Sequence, residues 1–174
     1  MFRDDRFQRA SLGVFWMEDV ESEAAANASN ANEWLKFKLA SEYYAVNVVY
    51  VKEILGSCDI TPVPGAFSFI LGIINLRGNI VPVADARRLL GLEASAAADE
   101  RGWTLILDPE GEVAGLVVDE VLDILTFENS AIQRLNESDH GYLSGVVEVD
   151  GEMLILLDAK GIAGCDRQTG SEAA

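Results

Sequence analysis

The residue types that most often carry out catalysis or bind metals are few in this chain and far apart in its sequence. There is one histidine, His140, and there are two cysteines, Cys58 and Cys165. His140 lies in a polar segment without neighbouring cysteines, which favours a solvated loop residue over a metal ligand or a general base. The cysteine spacing fits neither a metal site nor a disulfide framework, so reduced thiols are expected.

Three carboxylates, Asp119, Glu120 and Asp123, form the one group whose spacing could support general acid–base chemistry. Such chemistry needs two carboxylates that converge in one cleft. Consecutive side chains of a strand point to opposite faces, so a solvated strand edge is the preferred interpretation. No phosphate-binding loop and no G-x-S-x-G motif occurs in the sequence. The sequence therefore predicts a protein that is not an enzyme and that uses no cofactor or metal.

Length and composition predict a globular domain with an acidic surface. The 174 residues are 49% hydrophobic and 24% charged, which is enough apolar material to fold without disulfides or a metal. The formal net charge is −16 at pH 7, and this charge would repel nucleic acid and anionic membranes. The composition thus predicts no nucleic-acid partner and favours a basic or apolar protein surface as the partner.

Neither a targeting signal nor a membrane anchor is predicted. The N-terminal residues show no apolar region after a basic start, so no signal peptide is expected. The most apolar stretch, Ala66–Leu76, is far shorter than the ~20 residues that span a bilayer. A cytoplasmic protein without membrane insertion is the expectation.

The stretch from 70 to 91 predicts a β-hairpin followed by a short helix. Strands are predicted at Ile70–Asn75 and Asn79–Val83, with a tight turn at Leu76-Arg77-Gly78, because glycine readily takes the positive φ of a hairpin turn. Pro82 has no N–H donor, which predicts that its strand lies at a sheet edge or a barrel rim. A helix is predicted over Asp85–Gly91, with the aspartate accepting hydrogen bonds from the first free N–H groups.

Arg77 is the residue of this hairpin that turn geometry does not explain. In the corresponding hairpin further along the chain, the tip is Asp150-Gly151, a pair well suited to a tight turn. Two interpretations of Arg77 remain open. One is an internal salt bridge, with Asp85 as the suggested partner. The other is contact with another protein, because arginine is common among the residues that dominate binding energy.

The hairpin belongs to an internal repeat. The pattern of Val46–Leu55 returns at Leu116–Leu125, an offset of 70, and Trp34 and Trp103 each open a β-rich segment at an offset of 69. Five further pairs match at an offset of 73: Gly72/Gly145, Gly78/Gly151, Asp85/Asp158, Ala86/Ala159 and Gly91/Gly164. The order of these matches predicts two tandem copies of one small β unit that pack as paired subdomains.

The repeat sets the predicted domain limits. Residues 34–92 form the first subdomain and residues 102–163 the second, with an Ala- and acid-rich link between them. Residues 1–33 are predicted to be an extension and residues 164–174 a disordered tail. In the extension, the apolar cluster Leu12–Met17 is interpreted as a segment that docks on its own domain, with a partner-binding peptide as the alternative.

Apolar patterns predict the remaining strands, at Trp34–Leu39, Tyr44–Tyr50, Trp103–Leu107, Val113–Leu125 and Met153–Leu157. The last of these is an almost continuous apolar run, which is typical of a strand covered on both faces. Phe67–Leu71 fits either a helical turn or the start of a strand. Thr126–His140 is predicted to be a polar loop.

The first hairpin resembles the signature segment of the CheW-like domain, the adaptor of bacterial chemotaxis, through Gly72-x-x-Asn75-Leu76-Arg77-Gly78-x-Ile80-Val81-Pro82-Val83-x-Asp85-x-Arg87. The resemblance continues in order over roughly residues 35–162. It implies an all-β fold of two tandem five-stranded SH3-like β-barrel subdomains packed together, with short helices. It also implies a non-catalytic scaffold that couples the cytoplasmic tips of chemoreceptors to the regulatory domain of the histidine kinase CheA.

The same resemblance places the partner-binding faces for receptor and kinase at Val51, Glu53, Gly72, Asn75 and Arg77, without dividing them between the two partners. The loop Asn129–Gly141 is shorter than the family's and lacks its Pro-x-Pro and following Phe, which leaves open whether this chain joins kinase–adaptor rings. From a different functional class, the alternative is a β-barrel sensor that binds a small molecule in the groove between the two copies.

Overall fold

A computed structural model describes residues 32–93, 102–136 and 141–165. The predicted N-terminal extension before residue 32, its Leu12–Met17 cluster, most of the link between the copies, His140 and the tail from residue 166 lie outside the described residues. The described residues form the strands β1 (Glu33–Leu39), β2 (Glu42–Asn47), β3 (Val51–Leu55), β4 (Ile70–Leu76), β5 (Asn79–Asp85), β6 (Trp103–Leu107), β7 (Ala114–Val118), β8 (Glu120–Thr126), β9 (Gln133–Arg134), β10 (Leu143–Val149) and β11 (Glu152–Leu157), and the helices α1 (Ala86–Leu89) and α2 (Ala159–Ala163).

The strands form two sheets, which confirms the predicted mainly-β fold with short helices. The six-stranded sheet has the order β8-β1-β2-β11-β10-β9, and the five-stranded sheet has the order β3-β6-β7-β5-β4. The sixth strand of the first sheet, β9, has only two residues. It lies within the segment Thr126–His140, which was predicted to be a polar loop with a short amphipathic piece around Ile132 and Leu135.

Each sheet takes strands from both copies of the sequence repeat. The six-stranded sheet contains β1 and β2 of the first copy and β8, β9, β10 and β11 of the second. The five-stranded sheet contains β3, β4 and β5 of the first copy and β6 and β7 of the second. The exchange is reciprocal, since Ala45 pairs in parallel with Leu156 in one sheet and Gly115 pairs in parallel with Val83 in the other. The division at residues 92–102 therefore separates the two sequence copies, whereas each sheet spans that division.

The strand register corrects one of the predicted repeat matches. Val46 pairs with Leu35, and Leu116, 70 residues further on, pairs with Leu105. By this register Leu35 is equivalent to Leu105 and Trp34 is equivalent to Thr104. The predicted equivalence of Trp34 and Trp103 is therefore wrong by one residue. A shift of one residue moves a side chain to the other face of a strand, which is why the two indoles have different surroundings.

The chain passes from one sheet to the other at two short irregular segments. In the first copy this segment is a 3-10 turn over Val48–Tyr50, where the Asn47 side chain accepts a hydrogen bond from the Val49 N–H at 3.0 Å. In the second copy it is Asp119, between β7 and β8. The predicted strands Tyr44–Tyr50 and Val113–Leu125 were therefore too long. Apolar residues continue through the first crossing, so periodicity alone does not reveal it.

The main core lies between the two sheets. Its fully buried members come from both, for example Leu35 and Phe37 on β1 and Leu105 and Leu107 on β6. Two smaller clusters lie within the individual sheets, around Leu154 in the six-stranded sheet and Val83 in the five-stranded sheet, each with several buried neighbours. Burial of apolar side chains contributes most of the stabilising free energy of such a fold, so the shared core holds the two sheets together.

Two local predictions need correction. Strand β5 lies between β7 and β4, so the strand of Pro82 is not at a sheet edge. The missing N–H is tolerated because the pairing of β5 with β7 begins one residue later, at Val83. Met153 on β11 is exposed, although this strand was predicted to be covered on both faces. The ambiguous segment Phe67–Leu71 becomes a strand from Ile70 onward.

Candidate partner-binding hairpin

The turn between β4 and β5 has the geometry that its sequence predicts. Arg77 and Gly78 have positive φ angles of 53° and 84°, as the central residues of a type I′ hairpin turn require. The Asn75 side chain accepts a hydrogen bond from the Gly78 N–H at 2.9 Å. Asn75 therefore stabilises the turn from within, and its position next to the tip fixes the direction of Arg77.

Arg77 forms an ion pair with Glu53 on β3. Its Nη2 atom donates to Glu53 Oε1 at 3.2 Å, and the Arg77 side chain is 51% exposed whereas the Glu53 side chain is 5% exposed. The suggested pairing with Asp85 was wrong. Asp85 lies at the far end of β5, about 20 Å along the strand from the tip at ~3.3 Å per residue.

Asp85 instead caps and supports α1. Its Oδ1 accepts a hydrogen bond from the Arg87 N–H at 2.9 Å, as predicted for the start of this helix. Its Oδ2 lies 3.4 Å from Arg88 Nε. These contacts hold α1 on the end of β5. Arg77 pairs instead with Glu53 on β3.

The Arg77–Glu53 pair links the two edge strands of the five-stranded sheet, because β3 and β4 lie at its opposite ends. A buried carboxylate is costly unless it is paired or hydrogen-bonded, and Arg77 supplies that pairing. A left-handed backbone conformation costs an L-residue about 1–2 kcal/mol, so the arginine is held at the tip against its own backbone preference. Arg77 thus has an internal partner and an exposed half that another protein can contact.

Three of the predicted partner-binding residues, Val51, Glu53 and Gly72, are buried. Val51 belongs to the core between the sheets. At Gly72, an added Cβ would lie 2.1 Å from the Thr61 carbonyl oxygen. Thr61 forms an isolated bridge with Ile73 through two backbone hydrogen bonds of 2.9 Å. Gly72 therefore lets the segment before β4 cross the hairpin closely and positions the hairpin without contacting solvent itself.

The second copy repeats this close crossing. An added Cβ at Gly145 would lie 2.7 Å from the Gln133 carbonyl oxygen, and an isoleucine methyl lies 2.9 Å away at both glycines, from Ile60 and from Ile132. These two isoleucines are 72 residues apart, and their match was not among the predicted repeat pairs. An offset of 72 residues is close to the offset of 73 between the two hairpins, and this similarity could have revealed the isoleucine match.

Ile80 is an exposed apolar residue at the hairpin tip that the sequence analysis did not select. It pairs across the hairpin with Asn75 and is 61% exposed. Met153, at the matching position of the second hairpin, is 56% exposed. We call Asn75, Arg77 and Ile80 the hairpin-tip surface. It combines a guanidinium, an amide and an apolar side chain on one rigid turn.

Comparisons with known proteins agree with the resemblance of this hairpin. The sequence profile of the CheW-like domain matches residues 33–164. The chain belongs to the CheW-like domain family. It is 33% identical over 140 residues to the chemotaxis protein CheW of Rhizobium meliloti, covering 78% of this chain and 90% of that protein. It is also 33% identical over 136 residues to CheW of Thermotoga maritima, covering 76% and 88%.

A solved structure is also similar to this CheW-like domain. The crystal structure of the scaffolding protein TtCheW from Thermoanaerobacter tengcongensis superposes with a TM-score of 0.67 at 29% sequence identity, covering 74% of this chain and 89% of that one. The match supports the arrangement of two sheets as subdomains, because it extends over most of both chains.

The three carboxylates considered for acid–base chemistry do not converge in the CheW-like domain. Asp119 accepts hydrogen bonds from Arg87 Nε at 2.9 and 3.0 Å and is also bonded to Arg87 Nη2. It accepts a further bond from the Ala40 N–H at 2.8 Å. The hydrogen bond to Asp119 raises the pKa of Arg87 above its ordinary value. Glu120 and Asp123 are exposed, so Asp119 has a structural role that the predicted solvated edge did not foresee.

A recess between the copies is lined by β5, β7 and α2, including Pro82, Gly115 and Cys165. Its volume of about 10 Å³ is close to that of a single water, whereas sites for small organic ligands measure about 300–1,000 Å³. This recess therefore does not support the alternative of a small-molecule sensor. Among the described residues, no group of three or more His, Cys, Asp or Glu side chains could hold a metal ion. In the same part of the chain, no helix has the length and apolar character to cross a membrane.

Proposed function

We propose that this CheW-like domain is a non-catalytic adaptor that couples the cytoplasmic tips of chemoreceptors to the regulatory domain of a CheA-type histidine kinase. Family membership and the relatives named as chemotaxis and scaffolding proteins support this role. The observation that carries the proposal is the hairpin-tip surface, where Arg77 and Ile80 are exposed on a braced turn.

The hairpin-tip surface has the chemistry of a protein-binding site. Arginine offers a rigid fork of donors and a flat face for stacking, and it is enriched among residues that dominate binding energy. Ile80 adds apolar area that is worth little unless a partner removes it from water. The Asn75 hydrogen bond and the Glu53 ion pair hold the surface in one conformation, which lowers the entropic cost of association.

The five residues that the family resemblance selected have different roles in this proposal. Asn75 and Arg77 contact the partner, together with Ile80. Glu53 orients the Arg77 guanidinium through the ion pair. Val51 and Gly72 are positioning residues that place β3 and the hairpin at the correct distance from each other. Substitutions at the last two positions would change partner binding through the backbone and would also change stability.

The proposed adaptor works in the cytoplasm, at the inner face of the membrane where receptor arrays lie, and neither inserts into the bilayer nor binds nucleic acid. Cys58 and Cys165 are thiols and not a disulfide, which agrees with a reducing compartment. Nothing in this role requires a cofactor or a chemical step. The adaptor transmits the state of the receptor by holding the kinase in place.

Size-exclusion chromatography tests the proposal directly. The full chain, a kinase regulatory domain and a soluble receptor-tip fragment are mixed pairwise and together. We expect two binary complexes and one ternary complex, because a coupling protein must bind both partners at once. An absence of co-elution with either partner at concentrations well above micromolar would contradict the proposed function.

A further inference from the structure

The two sheets differ at one matching position of their edge strands. Strands β3 and β8 match at an offset of 70, and each lies at the edge of its sheet. Ile54 on β3 pairs with the buried Leu105 and is 3% exposed; Ile124 on β8 pairs with the buried Leu35 and is 39% exposed. The same position is therefore covered in the five-stranded sheet and open in the six-stranded sheet.

The charges beside these isoleucines differ in the same way. In the five-stranded sheet, Glu53 is buried and paired with Arg77 at the hairpin tip. The matching residues of the six-stranded sheet are Asp123, which is exposed, and Asp150 at the second hairpin tip. Two carboxylates cannot form an ion pair like the Arg77–Glu53 pair of the five-stranded sheet. The edge of β8 thus presents an apolar side chain next to a carboxylate that has no matching arginine in its own copy.

The N-terminal part of the chain leaves the domain beside this edge. Glu33, the first residue of β1, pairs with Thr126 at the end of β8, and the Phe127 N–H donates to the Asn32 carbonyl at 3.3 Å. Ile124 lies only two residues before Thr126. A random coil of 15 residues, the number between Met17 and Glu33, has an end-to-end distance of about 20 Å. Residues before 18 can therefore reach the whole length of β8.

The composition of residues 3–17 complements the β8 edge. This segment contains three arginines, Arg3, Arg6 and Arg9, and two aspartates, Asp4 and Asp5, so it has a net charge of +1 although the whole chain has a net charge of −16. It also contains the apolar cluster Leu12–Met17. The segment therefore contains apolar side chains that can cover Ile124 and arginines that can pair with Asp123.

We propose that residues 3–17 dock on the edge of β8, where the Leu12–Met17 cluster covers Ile124 and an arginine of the segment pairs with Asp123. The segment then supplies the six-stranded sheet with a cationic partner for Asp123, as Arg77 supplies one for Glu53 in the five-stranded sheet. Edge strands with exposed apolar residues are prone to pairing with other chains, and the docked segment shields this one. The inference does not depend on the proposed partners of the hairpin-tip surface.

Hydrogen exchange on the full chain tests this docking. At the millimolar effective concentration that a short linker gives, a segment with a Kd of about 0.1 mM is bound about ten times more often than it is free. The double substitution Phe15→Ser/Trp16→Ser is therefore expected to speed exchange of the β8 amides by about tenfold. Exchange in β3 should not change. Asn27→Ser, in the same extension but outside the segment, is the matched control and should exchange like the unmodified chain.

A second set of variants separates docking from a general loss of stability. Ile124→Ser should abolish the additional effect of Phe15→Ser/Trp16→Ser, because the two changes remove opposite sides of one contact. Replacing the three arginines by serine should also speed exchange in β8, and high salt should reduce that difference. Equal β8 exchange in the full chain and the Phe15→Ser/Trp16→Ser variant would overturn the proposal. So would protection that rises with protein concentration, since that result assigns the contact to a second copy.

Discussion

Arg77 at the tip of the first hairpin and Glu53 on β3 form an ion pair of 3.2 Å, although they lie 24 residues apart in the sequence. The pair connects the two edge strands of one sheet and leaves half of the guanidinium exposed. The structure shows the internal salt bridge, one of the two interpretations that the sequence left open for Arg77. The proposed contact with another protein involves the same residue, so stability and partner binding must be measured separately.

The first prediction concerns the stability contribution of this pair. Arg77→Ala leaves the buried Glu53 carboxylate without its guanidinium and should lower the free energy of unfolding by about 1–2 kcal/mol, between the values for exposed and for buried pairs. Adding Glu53→Gln to Arg77→Ala should restore part of this loss, because no unpaired charge remains. Urea denaturation of both single variants and the double variant measures the coupling. Strictly additive losses would show that the pair contributes no stability.

The second prediction concerns the close crossings at the two matching glycines. Gly72→Ala should destabilise the fold by about 3 kcal/mol or more, since the new methyl would overlap the Thr61 carbonyl oxygen and the backbone has a φ of +152°. Gly145→Ala should cost less, about 1–3 kcal/mol, because its nearest atom is further away. Gly56→Ala, where an added methyl meets open space, is the control. Equal melting temperatures for the Gly56 and Gly72 variants would contradict this account of the hairpin.

The third prediction compares two cation–carboxylate pairs whose cations, Arg87 and Lys160, match in the repeat at an offset of 73. Arg87 and Asp119 are largely shielded from solvent, whereas Lys160 and Glu110 are well exposed. Arg87→Ala should lower the free energy of unfolding by about 2–3 kcal/mol, because several charge-assisted hydrogen bonds to Asp119 are lost. Lys160→Ala should leave it nearly unchanged, because solvent screens an exposed pair. Chemical denaturation of the two variants measures the difference, and similar losses would show that burial does not distinguish the pairs.

The fourth prediction concerns stability at high pH. Burial, together with the hydrogen bond that Tyr44 donates to Glu42, raises the pKa of Tyr44 from 10.0 to about 12. Since the folded pKa lies above the unfolded one, this stabilising contribution is complete below pH 10 and is lost as the pH rises to about 12. Tyr44→Phe removes the ionising group. The unfolding free energy of the unmodified chain should therefore fall more steeply over this pH range than that of the variant.

Tyr142 also titrates late, because burial raises its pKa. It is present in both proteins of the Tyr44 comparison, so the difference between their pH profiles reports Tyr44 alone. Parallel profiles between pH 10 and 12 would show that the Tyr44 phenol does not keep its proton in the folded state.

Local features of the fold could be predicted from the sequence. The hairpin of β4 and β5, its positive-φ turn and the capped helix α1 were confirmed to within a residue or two, because each depends on a few neighbouring residues such as Gly78 and Asp85. The two copies were recognised for the same reason, since turns and caps recur with constant spacing.

The pairing of distant elements could not be predicted in the same way. The exchange of strands between copies occurs where the chain crosses at Val48–Tyr50 and at Asp119, and apolar residues continue through the first crossing without interruption. The predicted partner of Arg77 was wrong because Asp85 is closer in the sequence, whereas the sheet brings Glu53 to the hairpin tip. Exposure of Ile80 depends on which face the hairpin turns to solvent, and the apolar pattern of its strand does not report this.

Isothermal titration calorimetry of the hairpin-tip surface tests the central claim most directly. Ile80→Ser removes exposed apolar area without touching the Arg77–Glu53 pair, and Met153→Ser does the same at the matching position of the second hairpin. Each variant is titrated with a kinase regulatory domain and, separately, with a receptor-tip fragment. For at least one partner, Ile80→Ser should raise the Kd by about tenfold or more, which corresponds to about 1.4 kcal/mol, while Met153→Ser leaves the Kd for that partner nearly unchanged. Unaltered Kd values of Ile80→Ser for both partners would contradict the claim that this hairpin tip binds them.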